Sequence, residues 1–156
     1  MVETTDGLRV LLVSSAGGHL AQLLQLEPWY AEHDARWVSF DLPDARSLLP
    51  TERTVWAHHP TTRSLKNLAR NTVLAWREIR SWRPEVIISS GAGVAVPFFW
   101  IGKLYGARTA YVEVIDRIDT RTVTARLVSP VTDLFVAQEQ SQCELFTGSH
   151  LIGRLL

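Results

Sequence analysis

The chain has 156 residues, 46% of them apolar and 21% charged, which is enough to enclose one core and too apolar for a disordered segment. Sixteen Lys and Arg balance sixteen Asp and Glu, so bulk charge makes no case for nucleic acid. The one cysteine, Cys143, excludes an internal disulfide framework and a Cys-rich zinc site, and fits a reducing compartment.

Met1–Gly7 shows no basic and apolar leader pattern and is expected to be disordered. Leu8–Ser14 (LRVLLVS) is a near-continuous apolar run, the mark of a strand buried on both faces. Ser15-Ala16-Gly17-Gly18 breaks it. His19–Tyr30 follows as a helix, with Leu20, Leu23, Leu24 and Trp29 inward and Pro28 near its end. Arg36–Asp41 is a second strand, Asp44–Leu49 a short helical turn, and Thr54–His58 a third strand.

Charge is uneven from here on. Residues 1–60 carry four basic against eight acidic side chains, residues 61–83 six against one, and residues 84–156 six against seven. The basic segment is a helix capped by Ser64 and stopped by Pro84. Leu65, Leu68, Thr72, Trp76, Ile79 and Trp82 form a stripe along it. Such a stripe either packs on a sheet or, with its arginines, lies on anionic lipid.

Glu85–Ser90 is a fourth strand, ending in Gly91-Ala92-Gly93. Val94–Tyr105 is an apolar helix capped by Gly106, and its Val94–Gly102 stretch is about half of the roughly 18 residues that cross a membrane. Its opening, with Phe98, Phe99, Trp100 and then Lys103, is either a core helix or a greasy face in contact with lipid. Arg108–Val114 is a fifth strand, Arg117–Val128 is ambiguous, and Thr132–Ala137 is a sixth strand. Glu139–Phe146 is a short helix. The apolar end, LIGRLL, suits a final strand, a frayed terminus or a partner-docking segment.

Apolar strands alternating with helices imply an α/β fold, a Rossmann-like doubly wound parallel sheet in a single domain over residues 1–156. Ligands in such sheets bind outside the carboxyl ends of the strands. Both glycine turns fall there, each ahead of a helix whose first N–H groups suit phosphate. His19 then sits beside an anion site, as a base or a donor. Neither turn is GxGxxG or GxxxxGK[ST], which disfavours NAD and excludes a P-loop. Glu113 and Asp116, with Arg117 alongside, close the fifth strand as a catalytic or an ion-paired carboxylate. His58 and His59 point to opposite strand faces and make no metal site.

Taken together, LLVSSAGGHLAQLLQL, PEVIISSGAGVAVPFFWIGKLYGARTAYVEVIDR and VTDLFVAQ resemble the ALG fourteen family of asparagine-linked glycosylation and its bacterial exopolysaccharide relatives. These are similar to the N-terminal half of a MurG-like GT-B glycosyltransferase. The resemblance implies the acceptor-binding, membrane-recruiting subunit of a two-chain UDP-sugar glycosyltransferase, inactive alone. Its partner would be a donor-binding subunit that holds the UDP-sugar, with no cofactor tightly bound here and no metal. The acceptor would be a polyprenyl-diphosphate-linked saccharide on the cytoplasmic face of the membrane.

Carried onto this chain, the resemblance gives His19 and Glu113 catalytic roles. It gives Ser15, Gly17, Gly18, Gly91, Gly93 and Arg117 contacts to the acceptor diphosphate. Lipid would meet Phe98, Phe99, Trp100 and Lys103. The rivals are a non-catalytic scaffold that stabilises a glycosyltransferase partner and a stand-alone nucleotide-binding Rossmann protein.

Overall fold

The computed structural model describes residues 7–114, 122–146 and 148–153. Seven strands form one sheet: β1 (Arg9–Val13), β2 (Asp34–Phe40), β3 (Thr54–Ala57), β4 (Val86–Ser89), β5 (Arg108–Val112), β6 (Leu134–Ala137) and β7 (His150–Leu151). Their order is 3-2-1-4-5-6-7, and every neighbouring pair is parallel. β1 lies at the centre, with Val10 level with Ala35 on one side and Val86 on the other. The chain order reverses between β1 and β4, so the crevice outside their carboxyl ends is where a doubly wound sheet binds ligands.

The helices are α1 (Gly18–Leu24), α2 (Glu27–Tyr30), α3 (Pro43–Leu48), α4 (Leu65–Trp82), α5 (Ala95–Leu104), α6 (Val123–Val128) and α7 (Gln140–Leu145). Strand side chains alternate between two cores. Leu11, Val13, Val38, Phe40 and Ile87 pack with Leu74, Ala75 and Ile79 of α4, Phe98 and Phe99 of α5, and Ala125 and Val128 of α6. Val10, Leu12, Trp37 and Ile88 pack on the other face with Leu20 and Leu23 of α1 and Ala45 of α3.

Three expectations change. The helix expected over His19–Tyr30 is two helices, broken at Gln25 and Leu26. Pro28 has no N–H to offer the carbonyl of Leu24 and its ring crowds that turn, so α2 starts anew with Pro28 in its first turn. Trp29, expected inward, is exposed.

The second change is the face of α4. Ser64 caps it as expected, accepting from the Asn67 N–H. Of the anticipated stripe, Ile79 is buried and Trp82 half-buried, while Leu65, Leu68, Thr72 and Trp76 are exposed. The buried face is Asn67, Asn71, Leu74, Ala75 and Ile79. Two asparagines set this rotation. Asn71 accepts from the His58 N–H at 2.8 Å and donates to the His58 carbonyl at 2.9 Å, and Asn67 donates to the Pro60 carbonyl at 2.8 Å. They satisfy backbone left unpaired at the end of β3, where an apolar side chain would leave part-buried polar groups without partners.

The third change concerns α5. Phe98 and Phe99 have no exposed surface. Each contributes about 1.5–3 kcal/mol by burial and is closed to lipid. Lys103 pairs with Asp133. Trp100 is half exposed, with its Nε1–H donated to the Leu127 carbonyl at 3.0 Å. Pro97 falls in the first turn of α5, where a missing N–H is tolerated. Among the described residues, no helix is long and apolar enough to cross a membrane.

Candidate functional site

The two glycine turns meet across the crevice between β1 and β4, and His19 joins them. Its Nδ1 lies 2.8 Å from the Ser90 carbonyl, while the Ser90 hydroxyl donates to the His19 carbonyl at 2.8 Å. A carbonyl only accepts, so Nδ1 carries the proton. In the neutral ring Nε2 is then the basic nitrogen.

The turns differ in what they can still bind. In the first, Gly17 has φ 74° and its N–H donates to Asp44 Oδ2 at 2.7 Å. A carboxylate from α3 thus stands where an anion bound to this N–H would sit. The Ser15 hydroxyl reaches the Ala16 carbonyl at 3.3 Å. Ser15, Gly17 and Gly18 are not among the residues that line the His19 cavity.

The second turn faces that cavity. Its volume is about 300 Å³, and His19, Thr61, Thr62, Gly93, Tyr111 and Thr124 are among its lining. Gly91 has φ 123°, and a Cβ there would come within 3.0 Å of both His19 Cε1 and Tyr111 Oη. A Cβ on Gly93 would meet Thr61 Cβ at 3.1 Å. Both positions therefore need glycine to keep the crevice open. Between them Ala92 holds φ 67°, a left-handed conformation that is strained for a residue with a Cβ. The turn is braced beneath by Ser89, whose hydroxyl accepts from the Gly91 N–H at 3.1 Å. Above it begins α5, whose first two N–H groups, of Ala95 and Val96, donate back to the Ala92 and Gly93 carbonyls at 3.0 and 3.4 Å.

Nothing in the sequence singles out Tyr111, which alternates as an ordinary strand residue. It is buried, and burial pushes its phenol pKa up, reinforced by the Glu113 charge and opposed by a hydrogen bond with Thr122. The phenol is therefore protonated at neutral pH. Thr61, Thr62 and Thr124 lie far from any glycine motif and come to the site only through the topology.

Glu113 is 1% exposed and is not among the cavity's lining residues, where its neighbour Val114 stands instead. Its Oε1 accepts from the Val114 N–H at 3.1 Å. Three buried glutamines fix this end of β5. Gln138 Nε2 donates to Gln22 Oε1 at 2.5 Å and to the Glu113 carbonyl at 2.9 Å. Gln142 donates to the Val114 carbonyl at 2.8 Å and accepts from the Gln138 N–H at 2.8 Å. Arg117 and Asp116 lie outside the described residues.

A profile of the family described as "Oligosaccharide biosynthesis protein Alg14 like" matches residues 45–155, more than half of the chain. The chain belongs to this family. Among its curated relatives is the mouse UDP-N-acetylglucosamine transferase subunit ALG14, 22% identical over 187 residues, with 99% of this chain and 86% of that protein covered. The rat protein of the same name is 25% identical over 186 residues, with the same coverage.

The fold is shared more widely. MurG from Acinetobacter baumannii superposes with a TM-score of 0.72 at 16% identity, over 93% of this chain and 45% of that one. Staphylococcus aureus MnaA, solved with UDP, gives 0.71 at 10% identity, over 92% and 43%. This Alg14-family chain thus spans less than half the length of those solved proteins and has the fold of their N-terminal Rossmann-like domain.

Proposed function

We propose that this chain is the acceptor-side, membrane-recruiting subunit of a two-chain UDP-sugar glycosyltransferase. Its partner holds the UDP-sugar, and the chain itself binds no cofactor tightly. The acceptor is a polyprenyl-diphosphate-linked saccharide, extended at the cytoplasmic face of a membrane. The observation that carries this reading is the placement of His19. It stands at the switch point, between two strand-end glycine turns, in a chain that supplies one of the two Rossmann-like halves of its structural neighbours. The names of the rodent relatives make N-acetylglucosamine the first donor sugar to try.

In this reading an acceptor hydroxyl attacks the anomeric carbon of the UDP-sugar. The new glycosidic bond forms as the bond from that carbon to the diphosphate oxygen breaks, and UDP leaves with the electron pair. His19 Nε2 takes the hydroxyl proton. The acceptor diphosphate is held at the second turn by the backbone of Ala92 and Gly93, which line the cavity ahead of α5, where the helix dipole favours an anion. Of the anticipated phosphate contacts, Gly93 keeps that role, while Gly91, whose N–H is donated to the Ser89 hydroxyl, keeps the crevice open beside His19 and Tyr111. Gly17 and Gly18 shape the backbone that carries His19. Glu113 acts as a positioning residue through the strand end and the protonated Tyr111.

Recruitment to the membrane falls to α4. Leu65, Leu68, Val73 and Trp76 are exposed large apolar side chains, interleaved with Lys66, Arg70, Arg77 and Arg80. This combination suits an anionic lipid surface.

The test is transfer from UDP-N-acetylglucosamine to a polyprenyl-diphosphate saccharide by the purified chain, by its donor-binding partner and by the two mixed. Activity is expected in the mixture alone. Activity of the chain by itself would mean that it is a complete enzyme.

A further inference from the structure

Next to the His19 cavity lies a second, larger one. It is a groove of about 610 Å³ between the start of α4, the first turn of α5 and α6. The two spaces share Thr61, Thr62, Gly93 and Thr124, so one leads into the other. Their chemistry differs. The His19 end is lined by hydroxyls and an imidazole, while the far end is walled by Leu65, Leu68, Val96, Val123 and Leu127. Arg63 stands on the groove as well, bringing a cation to its polar shoulder.

The apolar walls are more exposed than such side chains usually are. Leu65 is 82% exposed, Val123 73% and Leu127 50%. Large apolar side chains gathered on both banks of one groove mark a binding surface rather than scattered surface residues. A polar, anion-attracting end that runs into an apolar groove fits one ligand class, an amphiphile with an anionic head and a linear hydrocarbon tail.

We propose that this groove holds the first isoprene units of the acceptor, next to its diphosphate. The site then reads the lipid itself and not only the sugar and phosphates. This inference rests on the acceptor-side reading above, and it assigns the tail to a channel within the protein. The exposed stripe of α4 continues from Leu65 and Leu68 towards Trp76, so the rest of the chain passes from the groove straight to the face that meets the bilayer.

The test is equilibrium binding to the full chain of three probes: inorganic diphosphate, farnesyl diphosphate and farnesol. Wild type is compared with Leu127→Asp, Val123→Asp and the control Leu104→Asp. Leu104 is an 82% exposed leucine on α5 that does not line the groove. Farnesyl diphosphate is expected to bind at least tenfold tighter than inorganic diphosphate. Leu127→Asp and Val123→Asp should abolish that gain, read in each variant as the ratio of farnesyl diphosphate to inorganic diphosphate affinity, and Leu104→Asp should keep it.

No gain in wild type, or a gain that survives both groove variants, overturns the proposal. So does a gain lost equally in Leu104→Asp, which would be a generic surface effect. If the groove variants weaken binding to phosphatidylglycerol vesicles while wild type shows no farnesyl gain, the groove belongs to the bilayer and the proposal fails. If wild type binds no diphosphate but binds farnesol in a Leu127-dependent way, the groove stands and the phosphate reading of the second turn falls.

Discussion

The two glycine turns look alike in sequence and behave differently in the fold. SSAGGH and SSGAG each follow a buried strand and each lead into a helix. The first is closed on itself, since Asp44 holds the Gly17 N–H and α1 is seven residues long. The second opens on the cavity, carries a strained Ala92 and begins the ten-residue α5. A glycine turn at a strand end is therefore not yet a phosphate site. What decides is whether a neighbouring element has already supplied the anion.

The same substitution in both turns tests this contrast most strongly. Gly91→Ala puts a methyl against His19 and Tyr111. We expect the transfer rate of the assembled pair to fall by about 10²-fold, the scale on which small displacements of a reacting group act. Gly17→Ala meets nothing within 4 Å, but φ 74° and ψ −139° is a region for glycine. It should lower stability by about 1–3 kcal/mol in thermal or urea unfolding and leave the rate of the folded pair within twofold. Equal rate losses in the two variants would erase the distinction.

Asp44→Ala is next. It removes the carboxylate from the first turn and should lower stability by about 1 kcal/mol, with a small effect on transfer, because the bond is solvent-exposed. A large gain in acceptor affinity would show instead that Asp44 competes with the ligand. Ala92→Gly should raise stability by up to about 1 kcal/mol by relieving the left-handed strain. A loss of transfer in that stabler variant would show that the strained shape serves binding.

The smallest effect concerns the far end of the second turn's helix, where Lys103 of α5 pairs with Asp133. Burial raises the Asp133 pKa, but hydrogen bonds from Lys103 and the Thr109 N–H together outweigh it and hold the carboxyl below its ordinary value. A depressed carboxylate stabilises the fold above its unfolded pKa, about 3.9, and loses that contribution as pH falls through the folded value. Acid unfolding of Asp133→Asn should therefore lack part of the wild-type loss of stability below about pH 4. Identical acid profiles would remove Asp133 from the account.

Much of this architecture is legible in the sequence. β1 and β4 read as buried parallel strands because LRVLLVS and EVIISS leave no polar face, and the turns that follow locate the crevice. The face of α4 is not legible. Its stripe of Leu65, Leu68 and Trp76 has helical spacing, and nothing local says that Asn67 and Asn71 are needed inside to satisfy the backbone at His58 and Pro60. In α5 the periodicity is weak because the segment is apolar nearly throughout, so Phe98 and Phe99 read equally as core or as lipid contact until the packing decides. Tyr111 and Thr61 reach the site through contacts between distant segments, which no local pattern records.

The most direct test of the central claim is to assemble the pair with His19→Ala and to measure partner affinity and transfer rate on the same preparation. If His19 is the acceptor-side base, partner affinity stays at its wild-type value and kcat falls by about 10²-fold or more. An unchanged kcat would make this chain a scaffold for a catalytic partner, and loss of partner binding in a folded variant would place His19 in the subunit interface instead of the site.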